Sequence, residues 1–296
     1  MNHTGSNPPH NSKTIAVAII PARYDSVRLP GKALLEIAGK PMICWVAERA
    51  LAARNVTRAI VATDDQRIVD AVESAGFEAV ITSTRHQSGT DRIAEVAAAI
   101  ASAEIIVNLQ GDEPLISPET IERAVATMDA EIDPDAARAD DKTGIVTTWE
   151  PIESAGDVLN PDVVKIVVDE NERALYFSRS PVPYPREAVR AHGSLASALA
   201  EEPGLLSKFR KHTGLYVYRR DVLLAFSGWP QSKLEQIESL EQLRALERGV
   251  KIKAIKATGS SIGVDTLEDL RRVREIVSSS RFQISSGKHQ LHQHGT

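Results

Sequence analysis

Apolar runs alternate with amphipathic stretches along the first half of the chain. Short runs typical of buried strands occupy residues 15–20, 58–62, 78–82 and 105–109. Stretches with a helical spacing of apolar residues occupy 42–53, 66–75, 90–101 and 118–128. Strands that alternate with helices in this way are typical of βαβ units and a mostly parallel sheet. The pattern therefore predicts an α/β fold whose ligands lie beyond the carboxyl ends of the strands.

The pattern changes after an acidic stretch at residues 129–144, which we interpret as an exposed loop. Predicted strands then follow in quick succession at 145–149, 163–168, 174–177 and 214–218, which indicates an antiparallel or mixed extension of the sheet. Residues 180–208 carry four prolines and predict a long loop or a small lobe. An apolar stripe predicts one helix over 233–248, followed by a strand over 250–257. A last helix is predicted from Thr266, where Asp269 completes a capping box.

Composition narrows the classes of function. The chain has 296 residues, of which 42% are hydrophobic, and its net charge of −5 disfavours nucleic-acid binding but allows local binding of a small anion. Its single cysteine, Cys44, lies in an apolar helical pattern and is expected to be a buried thiol rather than a nucleophile. We find neither a membrane-spanning run nor a signal peptide, so we expect a cytoplasmic protein without membrane insertion. The polar ends, residues 1–14 and 280–296, are predicted to be disordered.

The segment PARYDSVRLPGK, residues 21–32, follows the first predicted strand and carries three cations, Arg23, Arg28 and Lys32. Together with Ser26 and the backbone of Gly31, they could wrap an anionic group such as a polyphosphate. The segment is not a Walker loop, because that motif needs glycine in place of Ser26 and Ser or Thr directly after the lysine. Taken alone, a solvated cationic turn is the simpler interpretation.

Two acidic segments stand at similar loop positions. QGDEP follows the predicted strand 105–109 and contains Asp112 and Glu113, and GVDT places Asp265 directly before the last predicted helix. Carboxylates there could hold Mg²⁺, which prefers oxygen ligands and retains several waters. Capping of turns and helices explains each segment as well or better when it is considered alone. The same holds for HQSGTDR, residues 86–92, which could cap a helix or bind a phosphate or base.

A further group of polar side chains lies in the second half of the chain. Its members are Arg179, Arg186, His212, Tyr216, Glu241 and Gln242. Arginine pairs suit a carboxylate, while acid, amide and phenol groups suit sugar hydroxyls. These residue types alone do not separate a binding site from surface charge and a core histidine.

Taken in order, these motifs resemble one family, the 3-deoxy-manno-octulosonate cytidylyltransferases or CMP-KDO synthetases. The matching stretches run from about residue 15 to residue 277 and include IIPARYDSVRLPGKALLEIAGKPMI, HQSGTDRIAEV, IVNLQGDEPLI, ALYFSRSPVPY, KHTGLYVYRRD and GVDTLEDL. The resemblance implies a three-layer α/β sandwich around a mostly parallel mixed sheet, of the nucleotide-diphospho-sugar transferase type, with a small sugar-binding and dimerisation extension. It also implies one domain over residues 15–279, with a nucleotide-binding half at about 15–128 and a sugar-binding and dimerisation half at about 145–250.

The family's reaction joins CTP to KDO, an eight-carbon sugar acid, and gives CMP-KDO and pyrophosphate for lipopolysaccharide biosynthesis. By resemblance, the CTP phosphates bind Arg23, Ser26, Arg28 and Lys32, and the cytidine is positioned by Gln87, Ser88 and Arg92. The implied KDO ligands are Gln110, Arg179, Arg186, His212, Tyr216, Glu241 and Gln242. Mg²⁺ would bind Asp112 and Asp265, which form the implied catalytic set with Arg28 and Lys32. A homodimer is also implied.

Three alternatives stay open at this point. A cytidylyltransferase for sialic acid shares the chemistry and a looser form of the first motif, although the sugar-side segments match the KDO family instead. An enzyme that uses 8-amino-KDO would have nearly the same sequence. A nucleotide-binding module without catalysis belongs to a different class, and the presence of both Asp112 and Asp265 argues against it.

Overall fold

The computed structural model describes residues 14–25, 29–132 and 142–279. Its strands are β1 (Ala16–Ala22), β2 (Glu36–Ile37), β3 (Lys40–Pro41), β4 (Val56–Thr63), β5 (Glu78–Ile81), β6 (Ile105–Asn108), β7 (Thr143–Pro151), β8 (Lys165–Val168), β9 (Ala174–Ser178), β10 (Arg210–Arg219) and β11 (Lys251–Lys256). Its helices are α1 (Met42–Ala52), α2 (Gln66–Ser74), α3 (Gly89–Ala99), α4 (Pro118–Ile132), α5 (Ala155–Leu159), α6 (Arg186–His192), α7 (Leu195–Glu201), α8 (Arg220–Ser227), α9 (Lys233–Glu238), α10 (Gln242–Glu247) and α11 (Leu267–Ser278). Short 3₁₀ helices lie at Lys32–Leu34 and Pro203–Lys208.

Nine of the strands form one sheet in the order β11-β7-β10-β6-β1-β4-β5, with β8 attached to β10 and β9 attached to β8. β1 pairs in parallel with both β4 and β6, and β4 pairs in parallel with β5. β10 is antiparallel to its neighbours β6 and β7, while β11 is parallel to β7. The parallel strands therefore direct their carboxyl ends to one edge of the sheet, where ligands of α/β folds bind.

Alternate residues of the central strand point to opposite faces of the sheet, and helices cover both faces. On β1, Ala18 and Ile20 are wholly buried in the cluster that includes residues of α1 and α4. Val17 and Ile19 are wholly buried in a second cluster, with residues of α3 and α8. Because both faces are buried, the strand is an unbroken apolar run rather than an alternation. These layers confirm the predicted three-layer α/β sandwich around a mostly parallel mixed sheet.

The prediction of a single helix over residues 233–248 is wrong, because two helices occupy this stretch. α9 and α10 are separated at Ser239, whose φ of 52° lies in the left-handed region. The apolar stripe continues across the break, since Leu234 and Leu243 both pack into the same core cluster. Ile237, also on that stripe, is 78% exposed. The break places Glu241 beside the first turn of α3, where the two elements share a hydrogen bond.

The stretch predicted as a long loop or small lobe, residues 180–208, contains α6, α7 and a 3₁₀ helix. Part of it packs with α5, which the hydrophobic pattern does not predict, around Ile152, Val158, Leu199 and Phe209. The acidic loop predicted at 129–144 is shorter at both ends, because α4 and β7 extend into it. Its centre, 133–141, lies outside the described residues, as do 280–296 and all but Thr14 of the end predicted to be disordered at 1–14. Among the residues that are described, no helix is long and apolar enough to cross a membrane.

Candidate active site

The loops that follow β1 and β6 meet at the carboxyl edge of the sheet. The two strands pair in parallel and in register, ending with Ile19 opposite Asn108. Gly111 then approaches β1 so closely that an added Cβ would lie 2.9 Å from the Pro21 carbonyl oxygen. A side chain at that position would force this loop away from β1, so QGDEP requires glycine here.

Lys32 joins the basic turn to both acidic loops. Its Nζ donates hydrogen bonds to Oδ2 of Asp112 at 2.5 Å and to Oδ1 of Asp265 at 2.9 Å. The turn is shaped by Gly31, whose φ of 67° is a left-handed conformation that glycine adopts without strain. A 2.9 Å backbone hydrogen bond from Val264 to the Asp112 carbonyl ties the two acidic loops together. Three segments far apart in sequence thus converge on one ammonium group.

The surrounding charges keep Lys32 protonated. Burial alone would lower the pKa of Lys32, but the charge of Asp112 and the hydrogen bonds to both carboxylates outweigh burial and raise this pKa. The side chains of Asp112 and Asp265 are both partly exposed, so a solute can reach them.

The two carboxylates fit a hydrated divalent cation. Both carboxylates contact the Lys32 ammonium. Within residues 14–25, 29–132 and 142–279, no cluster of three or more His, Cys, Asp or Glu side chains could hold a metal, so an ion here would have two protein carboxylates as ligands. Mg²⁺ commonly takes one or two carboxylates and completes its shell with water and substrate phosphates. The donors are hard oxygens without sulfur or imidazole, which suits Mg²⁺ better than zinc.

Arg23 extends the cationic side of this edge. Its Nη2 donates a 2.8 Å hydrogen bond to the His86 carbonyl, which links the basic turn to the loop before α3. The first of two neighbouring cavities is lined by Pro21, Ala22, Arg23, Asp25, Lys32, Ala33, Gln110, Gly111 and Asp112. The predicted phosphate ligands Ser26 and Arg28 lie outside the described residues.

The predicted cytidine ligands lie at the start of α3. Ser88 is the N-cap residue, and its hydroxyl accepts a 3.1 Å hydrogen bond from the Asp91 amide while the Asp91 carboxylate accepts one from the Ser88 amide. Gln87 precedes it and is exposed. Arg92 is wholly buried and donates a 2.6 Å hydrogen bond to Asp64, the residue after β4. Arg92 therefore fastens α3 to the sheet, and its influence on a nucleotide passes through the position of α3.

A second cavity of about 190 Å³ adjoins the first, and the two share Pro21 and Gln110. Its wall is formed by β1, β6, β10, α3 and the break between α9 and α10. The lining residues are Pro21, Gly89, Thr90, Asn108, Gln110, Tyr216, Tyr218, Ser239, Leu240, Glu241 and Gln242. Four predicted sugar ligands are thus brought together: Gln110, Tyr216, Glu241 and Gln242.

Glu241 is oriented by a hydrogen bond from α3. The Oγ1 of Thr90 donates to Oε2 of Glu241 at 2.7 Å. Burial raises the pKa of Glu241, while the Thr90 hydrogen bond and the charge of Arg244 oppose that rise. The role of Thr90 is not visible in the sequence, because nothing near a helix cap shows that its partner lies 151 positions away.

His212 lies behind Tyr216 rather than on the cavity wall, with the two ring centroids 5.3 Å apart. The Thr147 hydroxyl donates to the Leu215 carbonyl at 2.8 Å, so its oxygen accepts a hydrogen bond from Nε2–H of His212, 2.9 Å away. Burial lowers the pKa of His212 to about 3. The imidazole is therefore neutral, with its proton on Nε2 and with Nδ1 as an acceptor.

Neither cavity wall includes Arg179, Arg186 or Cys44, which the sequence also singles out. Arg179 donates to the carbonyl oxygens of Glu238 at 2.7 Å and Pro161 at 3.0 Å, which holds α9 beside the end of β9. Arg186 is the first residue of α6, and its side chain is 80% exposed. Cys44 is buried in α1, where burial raises the pKa of its thiol to about 11, as expected for a packed thiol. The structure thus does not bring the two arginines to the second cavity.

Comparisons with known proteins agree with this geometry. A family model described as Cytidylyltransferase matches residues 17–252. A protein of Trichlorobacter lovleyi named 3-deoxy-manno-octulosonate cytidylyltransferase is 49% identical over 259 residues, which cover 88% of this chain and 97% of that protein. A solved structure described as CMP:2-keto-3-deoxy-manno-octonic acid synthetase complexed with CTP has a TM-score of 0.76 at 43% identity, over 89% of this chain and 98% of that one. A 4-diphosphocytidyl-2C-methyl-D-erythritol synthase from Anaerococcus prevotii, 16% identical with a TM-score of 0.54 over 90% of this chain and 96% of that one, shares the fold.

Proposed function

The chain belongs to the family of 3-deoxy-manno-octulosonate cytidylyltransferases, and we propose that it transfers CMP from CTP to KDO with release of pyrophosphate. It is a nucleotidyltransferase, and the proposed product, CMP-KDO, is the activated form of KDO for lipopolysaccharide biosynthesis. The observation that carries the proposal is the meeting of the two cavities at Pro21 and Gln110. One cavity contains cationic and carboxylate side chains, and the other is lined with groups that bind hydroxyls. A nucleotide and a sugar acid can therefore meet at the shared wall.

Asp112 and Asp265 are the residues that we assign to Mg²⁺, because their carboxylates converge on the Lys32 ammonium. When bound, the ion supplies positive charge that offsets the charge developing on the α-phosphate and on pyrophosphate. Lys32 contacts both carboxylates and adds a cationic side chain beside the same phosphates.

The proposed chemistry is direct in-line displacement at the α-phosphorus of CTP by the anomeric hydroxyl of KDO. The bond from the sugar oxygen forms as the bond to pyrophosphate breaks and the hydroxyl proton leaves to water, so no protein nucleophile is needed. The residues assigned to the phosphates are Arg23, Ser26, Arg28 and Lys32. Of these, Arg28 and Lys32 neutralise the charge that builds on pyrophosphate. Gln110 lies on the wall shared by both cavities and is assigned to hold the sugar near the phosphate.

Selection of the cytidine is assigned to the start of α3. Gln87 and Ser88 lie there, and Arg92 fixes the helix through its hydrogen bond to Asp64. A pocket that bonds the exocyclic amine of cytosine rejects uracil, because the wrong base leaves buried polar groups unpaired.

Recognition of the sugar hydroxyls is assigned to Tyr216, Glu241 and Gln242, which share one wall of the second cavity. His212 supports this wall from behind Tyr216. The two arginines assigned to the sugar carboxylate lie outside the cavity. A contact by Arg186 requires α6 to approach the cavity, and a contact by Arg179 requires its guanidinium to leave the Glu238 and Pro161 carbonyls.

A homodimer in the cytoplasm, where CTP is made, is the proposed setting. Strand β9 pairs with β8 alone among the described strands, and its Leu175 is 60% exposed. An unpaired edge with an exposed apolar side chain supports association with a second copy. Light scattering should give about twice the chain mass of 32.2 kDa, and a monomer at working concentrations would contradict the dimer.

Isotope labelling tests the proposed chemistry. KDO that carries ¹⁸O in its anomeric hydroxyl should retain that oxygen in the bridge to phosphorus, which ³¹P NMR of CMP-KDO detects. Loss of the label from the bridge would show that a different bond forms. Failure to form CMP-KDO at all would refute the proposed function.

A further inference from the structure

We propose that Asn108 is a further sugar-binding residue, whose side-chain amide bonds a hydroxyl group of the sugar acid and helps to select it. The inference rests on the proposed function, because it adds a residue to the cavity assigned to the sugar. Asn108 is absent from the ligands that the sequence motifs imply.

Asn108 is a polar residue in the most buried part of the sheet. It ends β6, where it lies between Ile19 on β1 and Tyr216 on β10, and it is 3% exposed. Its chain neighbours Val107 and Leu109 are wholly buried. An apolar side chain would suit this position better if packing were the only requirement, because a buried amide needs hydrogen-bond partners.

The described residues do not supply every hydrogen bond that the Asn108 amide can form. Its Oδ1 is buried and has no hydrogen-bond partner among the described residues. Neighbouring polar side chains of the same cavity are engaged, since Thr90 donates to Glu241 at 2.7 Å and Gln110 donates to the Gly214 carbonyl at 3.4 Å. A buried amide oxygen without a partner is unfavourable unless another group donates a hydrogen bond to it.

Asn108 forms part of the wall of the second cavity while its Oδ1 is buried, so a ligand there meets the oxygen after the side-chain amide turns over. The oxygen of an asparagine amide accepts hydrogen bonds and its nitrogen donates them, and a half-turn of the flat amide exchanges the two. A hydroxyl group both donates and accepts, so it satisfies either edge. A carboxylate fits less well, because the acidic Glu241 lies on the same wall. The geometry therefore favours a hydroxyl of the sugar rather than its carboxylate.

Steady-state kinetics of Asn108→Leu tests this inference, since leucine is similar in size and has no polar atom. The substrates are CTP with KDO, and CTP with analogues of KDO that each lack one hydroxyl group. The KM for KDO should rise on the order of tenfold, while the KM for CTP should stay within about twofold. Wild-type enzyme should discriminate against one particular analogue, and the variant should accept that analogue and KDO equally well.

Asn55→Leu is the matched control. Asn55 also has a buried Oδ1 without a partner among the described residues, but it lies outside both substrate cavities. Its variant should keep the wild-type KM for KDO and the wild-type discrimination among analogues. Thermal unfolding shows whether each variant folds, and Asn108→Ala, which also removes the amide, replaces Asn108→Leu if the latter does not.

Two results would overturn the role of Asn108. One is an unchanged KM for KDO in the folded variant. The other is wild-type discrimination among the analogues, which would show that the amide bonds a structural water or only supports the sheet. Failure of the proposed function looks different, because wild-type enzyme would then turn over no KDO. In that case the role of Asn108 is tested with the sugar acid that the wild type accepts, by comparing its KM between the wild type and the Asn108→Leu variant.

Discussion

The Nζ of Lys32 lies 2.9 Å from Oδ1 of Asp265, although the two residues are 233 positions apart in sequence. The same Nζ bonds Asp112, so the loop after β1, the loop after β6 and the loop before α11 share one charged cluster. The cluster forms only when the central strands are paired. The site is therefore a product of the whole sheet rather than of one local motif.

Replacing Asp265 with asparagine should cut turnover by about 10²- to 10³-fold without unfolding the protein. The amide keeps the shape of the side chain but removes one of the two carboxylates assigned to Mg²⁺. Pyrophosphate release is measured over a series of Mg²⁺ concentrations, with thermal unfolding as the check on folding. Glu268→Gln, which alters an exposed carboxylate in the first turn of α11, is the control and should behave like wild type. Full turnover of Asp265→Asn at saturating Mg²⁺ would contradict the metal assignment.

Replacing Lys32 with methionine should lower kcat/KM by the equivalent of about 2.7–4 kcal/mol, because a cation that meets developing charge is lost. Arg28→Ala should cost about 2–4 kcal/mol for the same reason. Lys40→Met is the matched control, since Lys40 forms a similar half-buried pair with Glu48 at 2.7 Å, away from the cavities. A change confined to the KM for KDO would show that these cations do not act on the phosphates.

The break between α9 and α10 should depend on a buried ion pair. Arg244 donates from Nε to Glu235 at 2.7 Å, and both side chains are almost sealed from solvent. Arg244→Met leaves a buried carboxylate unpaired and should lower the free energy of unfolding by about 3–5 kcal/mol. The KM for KDO should rise more than that for CTP, because this segment carries Glu241.

Urea unfolding with both KM values measures these effects. Arg271→Met removes an exposed pair and should change the free energy of unfolding by less than about 1 kcal/mol. Equal destabilisation by the two arginine variants would show that the buried pair has no special role.

Stability should depend on pH through His212. Its pKa is about 3 in the fold against an ordinary value of 6.5, so the unfolded chain binds a proton that the fold excludes between these values. The contribution of this group is complete above the ordinary value and is lost as the pH falls below it, reaching a loss of about 2 kcal/mol near pH 5. Urea unfolding at about pH 7.5 and about pH 5 should show a smaller loss for His212→Gln than for wild type. His192→Gln, a surface control, should follow the wild type, and identical pH dependence in all three proteins would refute the assignment.

The hydrophobic pattern predicts the elements of the first half of the chain well, because each of them is one apolar run or one helical period. The helix predicted at 42–53 is found at Met42–Ala52, and the strand predicted at 15–20 is found at Ala16–Ala22. The pattern fails at Ser239, because a left-handed residue that is not glycine leaves no mark in apolar spacing. It also misses α5, which has five residues and is too short to show a helical period.

The candidate site is predictable only in part. The motifs single out Asp112 and Asp265, but no local pattern shows that both bond Lys32. Arg179 is singled out by its chemical type, yet its guanidinium is held by backbone carbonyls of residues that are distant in sequence. Contacts of this kind depend on how the layers pack, and residue type and spacing do not encode that.

The most direct test of the central claim is pyrophosphate release with CTP and Mg²⁺, comparing KDO, 8-amino-KDO, sialic acid and no sugar. The account predicts rapid release with KDO and none with sialic acid or without a sugar. Release only with a different acid would retain the nucleotide assignments and contradict the sugar assignments. No release with any acid, from folded protein that still binds CTP, would contradict the account as a whole and indicate a nucleotide-binding module.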